Sequence, residues 1–156
     1  METEYIINRI TKEDLFTVEN IGQISLPIYY KVSDLFFLLF DSEYSLYKTV
    51  SLCGKIAGFI VARKYNRRHH ILSIAVHPDY RKKGVGTMLV NKIKDLDNDE
   101  ISLYVLTTNK QAITFYEKNG FKCVKKLDNY YSTLDTKSAF YYNYVKNTDF
   151  KNKSDI

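Results

Sequence analysis

The stretch "VHPDYRKKGVGTMLVNKIKDL", residues 76–96, places two of the chain's six glycines, Gly84 and Gly86, within three positions. They follow Arg81, Lys82 and Lys83 and open an apolar-periodic run whose spacing predicts a helix to about Leu96. The run before them, "HHILSIAV" at 69–76, is mostly apolar and reads as a strand near the centre of a sheet. The first turn of a helix leaves N–H groups unpaired, and its dipole favours negative charge. Glycine removes the Cβ that would hold a phosphate away from those amides. A strand, a basic glycine-rich turn and a helix in that order therefore converge amides and cations on one anion, and a pyrophosphate suits the site.

Working outward, "ISLYVLT" at 101–107 predicts a strand and "NKQAITFYEKN" at 109–119 a helix. Asn109 is placed to cap that helix and Gly120 to stop it. "FKCVKKL" and "SAFYYNYVK" close the chain as two strands, with a turn near "LDNYYSTLDT". Upstream, "EYIINRI" reads as a short strand and "TKEDLFTVENIGQI" as a helix capped by Thr11. Pro27 breaks that helix. "VSDLFFLLFDS" is a second helix, with the stripe Leu35, Phe36, Leu38, Leu39 and Phe40 read as core. "YKTVSLC" and "KIAGFIVARKY" flank Gly54 as a hairpin. The sum is an α/β domain over residues 1–146, one mixed sheet of about seven strands with about four helices. Residues 147–156 form a polar C-terminal tail.

The composition bounds the function. The chain has 156 residues, 45% apolar and 26% charged, which suits one soluble globular domain. No apolar run approaches the roughly 18 residues of a membrane span, and the N-terminus lacks the pattern of a signal peptide. Cys53 and Cys123 have no metal-site spacing and read as reduced thiols of a cytoplasmic protein. Residues 1–50 hold four Lys/Arg against eight Asp/Glu, whereas 51–156 hold nineteen against ten. The basic part favours an anionic partner, but no nucleic-acid motif accompanies it, so direct nucleic-acid binding is not expected.

Two nucleotide readings fail on the residues. A mononucleotide P-loop requires G-x-x-x-x-G-K-[ST], which is absent. A dinucleotide fingerprint requires a third glycine where Leu89 stands. "RKKGVGT", in contrast, resembles the R/Q-x-x-G-x-G/A signature of the GNAT acetyltransferase superfamily. "TTNKQAITFYEKNGF" resembles that superfamily's second acetyl-CoA segment, with Asn109, Ala112, Phe115, Tyr116, Gly120 and Phe121 all in pattern. Within the superfamily, "SLPIYY" and "NYY" most resemble the protein N-terminal acetyltransferases, in particular the NatE-type catalytic subunit.

The resemblance implies acetyl-CoA as co-substrate, with no metal. It implies that Arg81, Lys82, Lys83, Gly84, Val85, Gly86 and Thr87 hold the pyrophosphate, and that backbone amides of Leu72 to Val76, including Ile74 and Ala75, pair with pantetheine and polarise the carbonyl. Asn109 and Ala112 lie in the second coenzyme segment. The positions that do base work in NatE-type enzymes hold His70 and Tyr104 here, with the residue types interchanged. Tyr116 matches a candidate general acid near the thioester sulfur. Leu26, Pro27 and Ile28 would line an apolar pocket for the first side chain of a peptide, Tyr30, Tyr130 and Tyr131 would bond its backbone, and Leu72 matches a substrate contact. Alternation puts Leu72 on the face of His70. The implied reaction is acetyl transfer to the free α-amino group of a protein N-terminus, Met-starting with an apolar second residue. Such subunits can join a larger ribosome-associated acetyltransferase complex. The residues leave open a GNAT acting on lysine side chains or a small amine, a non-catalytic acetyl-CoA-binding subunit, and an RNA-binding module resting only on the basic charge.

Overall fold

The computed structural model describes residues 4–131 and 138–146; the expected polar tail and part of the expected turn near residues 127–136 lie outside the described residues. Seven strands form one sheet: β1 (Tyr5–Arg9), β2 (Tyr44–Ser51), β3 (Ile56–Tyr65), β4 (Arg68–Val76), β5 (Glu100–Leu106), β6 (Lys122–Leu127) and β7 (Ala139–Val145). Their order is β1-β2-β3-β4-β5-β7-β6. Only β4 and β5 are parallel neighbours, joined through α3 (Val85–Lys94); the other neighbours are antiparallel. The sheet is thus mixed, with β4 at its middle, as its apolar sequence led one to expect.

Helices cover both faces. On one side α1 (Leu15–Ser25) and α2 (Val32–Leu39) bury Leu15, Val18, Ile21 and Leu35 against Leu46, Phe59, Val61 and Ala75. On the other, α3 and α4 (Lys110–Lys118) bury Val85, Leu89, Val90, Ile93 and Tyr116 against Ile60, Ile71, Ile101 and Leu103. Each fully buried aliphatic side chain contributes about 1.5–3 kcal/mol relative to exposure, so these two apolar layers are what clamp the sheet. Thr11 and Asp14 bracket the 3₁₀ turn that starts α1, with the Thr11 N–H donating to Asp14 Oδ2 at 2.7 Å. The α2 stripe is a partial correction. Leu35 is buried, but Phe36 and Phe40 are exposed at 43% and 74% and meet edge to face at 5.1 Å. An eight-residue helix against one layer buries one face only, and the 3.6-residue period turns Phe36 and Phe40 outward.

The middle of β4 carries an irregularity that alternation does not foresee. Val61 pairs with Ser73 and Ala62 with Ile71, so Leu72 is an extra residue, a β-bulge. Ile71 packs on the α3 side, and so do Ile74 and Val76 beyond the bulge, while Ala75 packs on the α1 side. The bulge therefore exchanges the two faces of the strand between Ile71 and Ile74.

Away from the glycine turn, His69 is buried, with its Nδ1 2.9 Å from the Asn98 amide nitrogen, which also donates to the Ile93 carbonyl at 2.8 Å. Burial, with Lys64 and Lys146 nearby, pushes the His69 imidazole below its ordinary value of 6.5. The folded state therefore holds it neutral, whereas the unfolded chain takes up a proton as pH drops below about 6.5. Its contribution is fully present above that unfolded value and is lost as pH falls through the folded value. The denaturation midpoint is expected to decline between pH 7.5 and pH 5, and His69→Gln is expected to flatten that decline. An unchanged slope in the variant would assign the acid sensitivity elsewhere.

Candidate active site

The β4–β5 ladder runs from Arg68↔Glu100 to Ile71↔Leu103 and stops. Beyond it the strands fork, and residues 72–76 present a main-chain edge with no ladder partner on the β5 side. The fork opens into a cavity of about 1140 Å³ that runs from the loop after α1 to the turn before α3. Leu72, Ser73, Ile74, Ala75 and Val76 form its floor, Leu26, Pro27, Ile28, Tyr29 and Tyr30 one wall, and Tyr104, Tyr116 and Tyr131 part of another. The splay that frees the β4 amides was not readable from sequence.

At one end lies the glycine turn. Gly84, at φ +80, takes the left-handed conformation at the N-terminus of α3, and no side chain caps the helix there. A Cβ on Gly84 would meet nothing within 4 Å, so conformation is what requires glycine there. Gly86 has a second reason: a Cβ there would lie 3.1 Å from the Phe115 ring of α4. The two coenzyme segments read from sequence thus touch each other. Lys82 also sits at positive φ, 59°, in the turn. Arg81 donates to the Val76 carbonyl at 3.2 Å and to Ser25 Oγ at 3.3 Å, bracing the turn against the end of α1. Arg81, Lys82, Gly84, Val85, Gly86 and Thr87 line the cavity, as do Asn109 and Ala112; Lys83 does not, and its ammonium lies over the Tyr80 ring at 5.8 Å. Asn109 Oδ1 accepts from the Ala112 N–H at 3.2 Å, the cap its sequence position suggested.

The residues for acid–base work form a second cluster at the fork. His70 and Tyr104 have ring centroids 5.2 Å apart, and Tyr104 stacks on Tyr130 at 4.4 Å. Tyr130 meets Tyr131 edge to face at 4.7 Å. Tyr104 and Tyr131 reach the cavity, whereas His70 and Tyr130 stand behind them and are not part of its lining. Burial, reinforced by Arg68, lowers the His70 pKa below 6.5, so its imidazole is neutral at pH 7. Burial raises the phenols of Tyr30, Tyr116, Tyr130 and Tyr131, strongly so for Tyr116, and keeps them protonated. A neutral base and protonated phenols at one fork can take a proton from an amine and give one to a leaving group.

The loop wall is held by two contacts that sequence reasoning missed. Glu19 of α1 accepts the Val32 N–H at 2.5 Å, tying the start of α2 back to α1. Gly22 lets the loop close in, since a Cβ there would stand 3.1 Å from Tyr29 Cβ. Ser102, also missed, is buried with its Oγ 2.7 Å from His70 Nδ1. Its one sequence signal is a hydroxyl inside an otherwise apolar strand. Among the described residues, no group of three or more His, Cys, Asp or Glu could hold a metal ion, and no helix is long and apolar enough to cross a membrane.

Comparison with known proteins agrees with this geometry. An N-alpha-acetyltransferase of Saccharolobus solfataricus is 31% identical over 147 residues, 83% of this chain and 87% of that relative. An N-alpha-acetyltransferase 50 of Danio rerio is 26% identical over 139 residues, 83% of this chain and 82% of that relative. The crystal structure of Ard1 from Thermoplasma volcanium superposes with a TM-score of 0.77 at 31% identity, covering 90% of this chain and 97% of that one. Residues 13–121, which span α1, the bulged strand, the glycine turn and α4, match the acetyltransferase (GNAT) family. With that match covering the fork, the phosphate turn and the second coenzyme segment together, the chain belongs to the GNAT family and is an acetyl-CoA-dependent N-acetyltransferase.

Proposed function

We propose that this protein acetylates the free α-amino group of protein N-termini, with a preference for a Met start and an apolar second residue. The observation that carries the proposal is the cavity itself: the freed β4 edge lies opposite an apolar wall of Leu26, Pro27 and Ile28, with tyrosines at its rim. The similarity to N-alpha-acetyltransferases supports the acceptor class.

The site fits the coenzyme on its own evidence. The α3 N-terminus has no side-chain cap and lines the cavity, cations precede it, and the β4 edge lacks ladder partners on the β5 side. Acetyl-CoA, held there by residues 81–87 and the amides of 72–76, supplies a thioester for the amine to attack and a thiol as leaving group. The chain supplies the rest. An α-ammonium has a pKa near 8, so a mild base is sufficient to free its lone pair. His70, neutral and behind Tyr104, accepts that proton through water or the Tyr104 hydroxyl. Amides of the bulged strand bond the developing oxyanion. The buried Tyr116 hydroxyl is the donor to the departing sulfur. Leu26, Pro27, Ile28 and Leu72 surround the first side chain, and Tyr30 and Tyr131 position the peptide backbone, with Tyr130 packed behind against Tyr104 and Tyr131.

Turnover of acetyl-CoA on three peptides tests the proposal: a free Met-Leu N-terminus, a free Ser N-terminus, and a blocked N-terminus with an internal lysine. Turnover is expected on Met-Leu alone. Turnover only on the blocked peptide would replace the proposal with a lysine acetyltransferase. Neutralising Arg81, Lys82 and Lys83 together is expected to raise the coenzyme KM roughly ten-fold or more, since charge-assisted hydrogen bonds contribute about 1.5–3 kcal/mol each. The peptide KM at saturating coenzyme is expected to change little. Equal increases in both constants would mean that the turn braces the whole site.

A further inference from the structure

We infer that Ser102 is a positioning residue for the reaction: its buried hydroxyl bonds His70 Nδ1 and fixes the ring, and in the tautomer in which Nδ1–H donates to Oγ it leaves Nε2 as the nitrogen that takes the acceptor's proton. The inference rests on the reading of His70 as the base.

Register places the pair. His70 of β4 lies opposite Ser102 of β5 on a parallel ladder that ends one residue later, at Ile71↔Leu103. The pair therefore stands one rung short of the end of the ladder, where strand geometry is still tied and close to where the cavity begins. Ser102 is 2% exposed, and its Oγ lies 2.7 Å from Nδ1. A neutral imidazole has one donor and one acceptor nitrogen, and the bond made by one decides which proton position the other has. With Nδ1 donating to Ser102, Nε2 carries the lone pair. When a proton leaves the α-ammonium and forms the Nε2–H bond, the Nδ1–H bond to Ser102 persists, so the cation keeps its partner. The opposite arrangement, with Ser102 donating to Nδ1, would put hydrogen on Nε2 and leave no nitrogen free to accept.

The surroundings leave this task to Ser102. Arg63 of β3 faces His70 across the antiparallel ladder, but its guanidinium donates to Glu43 at 3.0 Å and to the Tyr65 hydroxyl at 2.9 Å. Arg68 on the same strand pairs with Glu100 of β5 at 3.0 Å. Glu100 also accepts from Asn143 of β7, which lies opposite Ser102, at 3.3 Å. Tyr104 meets the ring as a tilted aromatic pair, with centroids 5.2 Å apart. Burial, and after it Arg68, lowers the tendency of His70 to stay charged. A hydroxyl with no charge of its own can orient the ring without trapping the proton, as a carboxylate would.

A double-mutant cycle tests this with Ser102→Ala, His70→Ala and the double variant on the Met-Leu peptide. Ser102→Ala is expected to lower kcat about ten-fold or more, within the about 10²–10⁴-fold a positioned general base contributes. Both KM values and the coenzyme affinity are expected to stay near wild type, and the acid limb of the pH profile to move. In the His70→Ala background the same change is expected to cost nothing further, and Ser102→Thr, which keeps the hydroxyl, is expected to restore kcat. A loss on Ser102→Ala that is as large without His70 as with it would overturn the inference, as would an unaltered kcat and pH profile beside a damaged His70→Ala. If His70→Ala itself keeps wild-type activity, the reading of His70 as base fails first, and the inference falls with it. Near-ultraviolet circular dichroism and coenzyme affinity distinguish a lost tautomer from a misfolded strand.

Discussion

Substitution of His70 by alanine is expected to lower kcat by about 10²–10⁴-fold, or about 3–5 kcal/mol of barrier, with the coenzyme affinity retained. The separation follows from where the parts sit. The amides proposed to meet the coenzyme belong to residues 72–76, from the bulge onward, and the proposed phosphate turn begins at Arg81, whereas His70 precedes both. Its side chain is not part of the cavity lining, so removing it opens space behind Tyr104 without taking a wall from the coenzyme channel. The pH dependence has a defined sign. Burial and Arg68 lower the His70 pKa beneath 6.5, so the base form prevails at neutral pH and the acid limb of kcat/KM lies below that value. In His70→Ala that limb is expected to vanish. Tyr104→Phe, which keeps the ring stack on Tyr130 and removes only the hydroxyl, separates proton relay from packing. Activity near wild type in His70→Ala, with the limb intact, would move the base to another group.

Gly58→Ala is expected to be the most damaging single methyl addition in the sheet. A Cβ at Gly58 would lie 2.7 Å from the Ala75 carbonyl oxygen, 3.2 Å from Val85 Cγ1 and 3.3 Å from Leu89 Cδ1. The two aliphatic neighbours can adjust slightly, but the carbonyl is main chain of β4 and can move only by bending the strand. Overpacking of this kind costs typically about 1–3 kcal/mol, and each kcal/mol lowers Tm by roughly 2–4 °C in a domain of this size. The same bend displaces the amides proposed to meet pantetheine, so the coenzyme Kd is expected to rise in the folded fraction. Thermal denaturation with coenzyme titration checks both parts. A variant with unchanged Tm and Kd would show that β4 yields more easily than its ladder suggests.

Several elements were legible before any coordinates because they rest on local rules. The 3.6-residue period of "TMLVNKIKDL" marked α3, and the order of strand, basic turn and helix is the ground for expecting an anion site there. Asn109 and Gly120 bounded α4 through capping and left-handed backbone, each a property of one residue and its neighbours. The exposed Phe36 and Phe40 show the limit of such rules: apolar character marks what can be buried, and the neighbouring layer decides how much of the helix it covers.

The chain by itself determined the α/β order, the phosphate turn and the family pattern in its two coenzyme segments, because these depend on residues close in sequence. Tertiary structure alone decided that β4 and β5 part after Ile71 and Leu103, that Leu72 is a bulge, and that Gly86 meets Phe115. It alone placed Ser102 on His70, thirty-two residues away. Register between strands is set by how whole layers pack, and no local period records which hydroxyl a buried imidazole will find.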